Sequence, residues 1–176
     1  MNQGRVVIFT RRFWPLWGDA ESALAELAVG LADASMPTTI VTPCWQRGWP
    51  VEFAFENVRV VRLPRPAASA WGQWSYARRL KKWLRAQRLQ IDIALSHSAD
   101  EITGSIVTTL RRLGIPLILL GHRHHNQTQQ LAKHERADAI VVAFNDEIAP
   151  AQQAGYLPKQ IHCIAPGVDV LQGQEP

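Results

Sequence analysis

The feature that most limits what this chain can fold into is its alternation of short apolar runs with helical stretches, kept up almost from end to end. Pro116-Leu-Ile-Leu-Leu120 is apolar throughout, and such a run is shielded only inside a sheet that is covered on both faces. Arg5–Thr10, Thr38–Thr42, Val58–Leu63, Ile91–Leu95, Ala139–Ala143 and Gln160–Ile164 read as further strands, giving about seven. Helical patterning separates them over Ala20–Leu31, Ser69–Leu89, Ala99–Leu113, Gln127–Arg136 and Asp146–Ala154. Right-handed crossovers leave one favoured architecture, a doubly wound, mainly parallel, Rossmann-like α/β sheet with helices on both faces. With 176 residues the chain makes one such domain and not two ordinary ones.

In a parallel sheet, ligands sit beyond the carboxyl ends of the strands, where the strand order reverses. The first strand hands over to its helix through Arg11-Arg-Phe-Trp-Pro-Leu-Trp-Gly18, with Asp19 placed to cap the helix. Ala20, Ala23, Leu24, Leu27, Ala28 and Leu31 form that helix's apolar stripe. A glycine here lets a ligand approach the backbone, and the helix start offers unpaired N–H groups; the plainer reading is a turn glycine that only reverses the chain. His97 follows the fourth strand, His122 the fifth and Asn145 the sixth, so Gly18, His97, His122 and Asn145 project to one edge. The usual strand order brings the Gly18 loop near His97. Six tryptophans, at positions 14, 17, 45, 49, 71 and 74, lie in or near segments leaving that edge. Their rings can stack on sugar faces or seal long loops onto the body.

Several chemistries are excluded. No G-x-G-x-x-G follows the first strand, no phosphate-binding G-x-x-x-x-G-K-[ST] exists, and no G-x-S-x-G elbow exists. Cys44 and Cys163 make no C-x-x-C and have no metal spacing. His122-Arg-His-His125 lacks a neighbouring carboxylate or cysteine to complete a metal set, so a hydrogen-bonding or proton-transfer role for one imidazole is the better reading. The expectation is therefore no metal. No apolar run reaches the length of a membrane span and the opening residues do not form a signal peptide, which makes a cytoplasmic location the expectation.

The net charge is +4, and much of the excess is local: Arg78, Arg79, Lys81, Lys82, Arg85 and Arg88 fall within eleven residues. Tyr76, Leu80, Trp83, Leu84 and Gln87 line one side of the same helix. Such a helix can lie on an anionic bilayer, at the inner face of the membrane, or pack its stripe on the sheet as an ordinary surface helix. Nucleic acid is not the expected partner, because no recognised module accompanies the charge.

These residues resemble the N-terminal domain of family-4 glycosyltransferases, the retaining enzymes of the GT-B fold. Phe13-Trp-Pro-Leu-Trp-Gly-Asp-Ala-Glu21 is similar to the family's aromatic-proline loop and G-G-[AI]-E segment. Asp92-Ile-Ala-Leu-Ser-His97 resembles its D-[IV]-h-h-x-H strand, and Gly114-Ile-Pro116 with Leu120-Gly-His122 its next strand and histidine. Ala137-Asp-Ala-Ile-Val-Val142 and Ile164-Ala-Pro-Gly-Val-Asp169 match two further signatures. The resemblance implies transfer of a sugar from a nucleotide-sugar to a sugar, lipid or other acceptor, with retention, no cofactor and no obligatory metal. It gives Gly18 and Asp19 to the donor phosphates, His122 to the transferred sugar, and His97, Trp14, Trp17 and Asn145 to the acceptor side. Two departures stand out: Asp19 replaces the second glycine, and Ala143-Phe-Asn-Asp146 lacks the serine common after the sixth strand. The family's nucleotide-sugar domain would follow in the same chain, so residues 1–176 read as half an enzyme, inactive alone. The alternatives are a non-catalytic Rossmann-like binding domain, or a membrane-adsorbing module using the basic helix 78–88.

Overall fold

The computed structural model describes residues 4–64, 70–96, 101–120 and 137–165. Strands β1 (Val6–Phe9), β2 (Thr38–Pro43), β3 (Glu52–Phe55), β4 (Val58–Leu63), β5 (Ile93–Ser96), β6 (Leu117–Leu120), β7 (Ala139–Val142) and β8 (Ile161–Cys163) form one sheet in the order β3-β4-β2-β1-β5-β6-β7-β8. All neighbours run parallel except β3 and β4. Among the described residues the helices are α1 (Asp19–Asp33), α2 (Ala70–Gln87), α3 (Glu101–Leu113) and the short α4 (Ile148–Gln153). The expected helix over Gln127–Arg136 lies outside the described residues.

The doubly wound architecture stands as expected, with eight strands in place of seven. The additional one, β3, pairs antiparallel with β4 through a tight turn in which Glu56 takes a positive φ of 51°. Its side chains alternate between exposed and half-buried, as an edge strand's do. The helix expected over Asp146–Ala154 is broken into a 3₁₀ turn, Asn145–Glu147, followed by α4. Glu147 shapes that turn: its carboxylate accepts the main-chain N–H groups of Ala143 at 2.8 Å and Phe144 at 3.2 Å.

Alternation along each strand divides the core in two. Val6 and Ile8 of β1 join Ile40, Val58, Val60 and Leu95 under α1, whereas Val7 and Phe9 join Val41, Val61 and Ala94 under α2 and α3. α1 meets the sheet through Leu24, Ala25 and Ala28. This seam is turned slightly from the expected stripe: Ala23 and Leu27 face solvent and Ala25 takes their place inside. The small alanines let the helix lie close to the sheet. α2 buries Tyr76, Leu80 and Leu84, and α3 buries Ile106, Val107 and Leu110, all on the opposite face.

Candidate functional site

Strand order reverses between β1, which leads outward to β2, and β5, which leads on to β6. Phe9, the last residue of β1, is paired with Ser96, the last of β5, and Ser96 with Leu119 of β6. The carboxyl ends of these three strands therefore stand side by side, within about 10 Å across two interstrand spacings. His97 and His122 follow β5 and β6 in sequence, and both lie outside the described residues. Asn145 follows β7, one strand further, and is exposed about 14 Å from the line of β1. The described part of the site is accordingly built on the β1–α1 loop and its supports.

Within that loop the aromatic residues divide their roles. Phe13 is buried at 1% exposure and meets Phe55 edge-on, with ring centroids 5.5 Å apart. Trp14 and Trp17 remain 46% and 51% exposed. Trp14 packs beside Phe53 at 5.8 Å, and Trp17 beside Phe13 and Phe55, both at 6.1 Å. Two half-covered indoles on a rigid base at the switch point can stack against flat apolar faces of a ligand such as a sugar ring.

The base is held by Arg62, which the sequence reading did not single out. It occupies the last turn of alternation on β4, in step with Val58 and Val60 on the α1 side of the sheet, and is 1% exposed. Its guanidinium donates to the main-chain carbonyls of Pro50, at 3.0 Å, and Trp14, at 2.5 Å. The rings of Phe53, Trp49 and Trp14 surround it at 4.4, 5.0 and 6.0 Å. Desolvation lowers its pKa, yet a guanidinium starts so high that it stays protonated. Ring faces and carbonyl dipoles thus offset the cost of burying this cation. The sequence shows a cation in a largely apolar strand, but Arg59 of the same strand shows the same feature and is exposed, so burial at Arg62 could not be read from it. Thr42, paired with Arg62 on β2, buries a hydroxyl that has no hydrogen-bond partner among the described residues.

Of the other tryptophans, Trp45 and Trp49 are loop seals. Trp45 is half-buried and its indole N–H donates to the Arg11 carbonyl at 2.9 Å. Trp71 and Trp74 lie instead on α2 and are strongly exposed.

Gly18 is the N-cap of α1, and Asp19 is its first helical residue, so the expected capping by Asp19 is not what occurs. The Gly18 carbonyl accepts from the Ser22 N–H at 2.9 Å and the Ser22 hydroxyl at 3.1 Å. Its φ of −163° is extended backbone open to any residue, so the turn itself does not require glycine. A side chain here would come within 2.8 Å of the Glu21 carboxylate. The helix start thus carries two acidic groups, Asp19 and Glu21. Among the described residues, no group of three His, Cys, Asp or Glu could hold a metal ion.

The model of Glycosyltransferase Family 4 matches residues 20–171. The chain belongs to glycosyltransferase family 4. No curated protein matches it in sequence. Among solved structures, sucrose-phosphate synthase from Thermosynechococcus elongatus superposes with a TM-score of 0.73 at 14% identity, over 94% of this chain and 48% of that one. HepE from Anabaena, in complex with UDP-glucose, gives 0.64 at 14% identity, over 94% and 44%. A UDP-N-acetylglucosamine 2-epimerase gives 0.63 at 14% identity, over 92% and 46%. At such identities the likeness is one of fold, and an epimerase shares it; the family match is what separates the two. This family-4 glycosyltransferase chain spans about half the length of these relatives. Its family match and its half-length span agree with the N-terminal domain that the sequence resembled, and the aromatic loop opens from the first strand of that domain.

Proposed function

We propose that this family-4 domain is the acceptor-side half of a retaining glycosyltransferase that moves a hexosyl group from a nucleotide-sugar to a sugar, lipid or other acceptor. The observation that carries the reading is the pair of exposed indoles, Trp14 and Trp17, fixed at the switch point of a chain in this family. Trp14 and Trp17 form the acceptor platform, and His97 and Asn145 also serve the acceptor side. Gly18 and Asp19 border the donor phosphates, and His122 contacts the transferred sugar as the catalytic residue. Asp19 and Glu21 are both acidic, so a diphosphate approaching α1 is held mainly by a second domain, which also supplies the base and ribose contacts. No cofactor or obligatory metal takes part. That HepE was solved with UDP-glucose supports a nucleotide-sugar donor.

Titration of residues 1–176 followed through the indole N–H resonances tests this. Sugars offered as acceptors are expected to move the Trp14 and Trp17 signals, while UDP-glucose binds only in the millimolar range. Micromolar donor affinity, or sugar-induced shifts that spare both indoles, would overturn the assignment to the acceptor side.

A further inference from the structure

Outside the cleft, the strongest concentration of like charge lies on α2. Arg78, Arg79, Lys81, Lys82 and Arg85 stand on this helix, which has no acidic residue from Ala70 to Gln87. Its inward side is occupied: Tyr76, Leu80 and Leu84 are buried, and Trp83 packs against the same core. The apolar stripe that could have served as a membrane anchor is therefore spent on the sheet. At 3.6 residues per turn, Trp71, Trp74, Arg78, Lys82 and Arg85 fall on the opposite side. Trp71 and Trp74 are 63% and 58% exposed, and the Arg78 guanidinium stands 5.7 Å from the Trp74 ring. Arg79, Lys82 and Arg85 are exposed as well. A second seam thus runs along the outside of the helix, with indoles in its first turns and cations after them.

We propose that this outward face of α2 docks on an anionic lipid surface. Indoles have apolar bodies and a polar N–H, which suits them to the headgroup level of a bilayer. Cations beside them meet the lipid phosphates, and each long side chain can reach that plane while the helix lies flat. The positive charge of the helix complements an anionic leaflet, and the two indoles account for a bilayer in preference to a soluble polyanion. Because helices in right-handed crossovers begin at the carboxyl edge of the sheet, the tryptophan end of α2 is the end nearer the acceptor platform.

Flotation with vesicles of phosphatidylcholine, with and without phosphatidylglycerol, tests the proposal. Residues 1–176 are expected to float with the anionic vesicles only, and less so as salt rises. Neutralising Arg78, Arg79, Lys81 and Lys82 to Gln should weaken partitioning by about fivefold per cation. Trp71→Ala with Trp74→Ala should weaken the binding that survives at high salt. All six side chains lie outside the core, and circular dichroism checks that the variants fold. Absence of flotation, flotation unchanged in the Gln variant, or retention on heparin without vesicle binding would each overturn it. The assay reads no sugar transfer, so its failure would leave the glycosyltransferase reading standing.

Discussion

Arg62 and Trp14 are 48 residues apart in sequence, and the guanidinium of one holds the main-chain carbonyl of the other at 2.5 Å. Through this bond β4, near the edge of the sheet, fixes the loop that leaves β1 at its centre. The same guanidinium lies beneath the Trp14 ring, so the backbone and the side chain of the platform share one support. The exposed indole is rigid because a buried cation stands behind it.

Replacing Arg62 with Met is accordingly expected to cost about 2–4 kcal/mol, from two lost hydrogen bonds to a charged donor and the loss of the ring contacts. Arg62→Lys keeps the charge but offers a single donor centre for two carbonyls, and should recover less than half of the loss. Urea unfolding followed by circular dichroism measures both. A change below about 0.5 kcal/mol for the Met variant would mean that the aromatic cage stands without its cation.

Phe13 and Trp17, four residues apart in one loop, should behave oppositely. Phe13→Ala opens a cavity between α1 and the β3–β4 edge and is expected to destabilise by about 3–5 kcal/mol. Trp17→Ala removes a half-exposed ring and should cost about 1 kcal/mol or less, while abolishing the sugar-induced shifts in its part of the loop. Unfolding and titration on the same two variants separate the loop's foundation from its working surface. A Trp17→Ala variant that binds sugars unchanged would remove that indole from the platform.

Gly18 offers a test of backbone need against ligand need. Its extended φ accepts any residue, and α1 has no side-chain cap. Gly18→Ser is therefore expected to change stability by only a few tenths of a kcal/mol, with the Glu21 carboxylate swinging aside and the new hydroxyl serving as N-cap. If the position serves the donor phosphates, the same variant lowers transfer by the whole gene product at least tenfold, read as kcat/KM for the nucleotide-sugar. Unchanged transfer would reduce Gly18 to a cap.

The fold was legible because a parallel sheet leaves long apolar runs that nothing else explains, and Leu117–Leu120 shows the pattern clearly. β3 escaped because its signal is weak: Phe53 and Phe55 alternate with exposed neighbours, and the turn after them, Glu56-Asn57, is not the glycine-bearing pair that marks a hairpin. The apolar stripe of α2 was legible in full, yet periodicity could not show that Trp71 and Trp74 form a second, outward seam. Arg62 was hidden for another reason. Arg59 and Arg62 look alike in Val58-Arg-Val-Val-Arg-Leu63, but Arg59 lies at the exposed edge beside Glu52, at 2.6 Å, while Arg62 is turned under a loop from elsewhere in the chain. Only tertiary contacts distinguish them.

At the opposite edge of the sheet, Asp92 ties the entry of β5 to that of β1. Its carboxylate accepts the Arg5 main-chain N–H at 2.8 Å and the Arg5 Nε–H at 3.2 Å, and these bonds hold its pKa below the ordinary 3.8. Arg5 also donates to the Leu89 carbonyl. A depressed carboxylate contributes stability that is fully present above its unfolded value and is lost as the pH falls through its folded value. Asp92→Asn keeps an acceptor for the N–H and removes only the charge. The variant should therefore be less stable than the parent near neutral pH, by a margin that narrows once the pH drops below the carboxylate range. Because the pair is exposed, added salt should narrow the margin at neutral pH as well. Asp92 lies far from the platform, so sugar binding by the folded variant should match the parent's. Thermal melts across pH measure the margin, and one that stays constant from neutral to strongly acidic conditions would show that the Asp92 charge does not stabilise this joint.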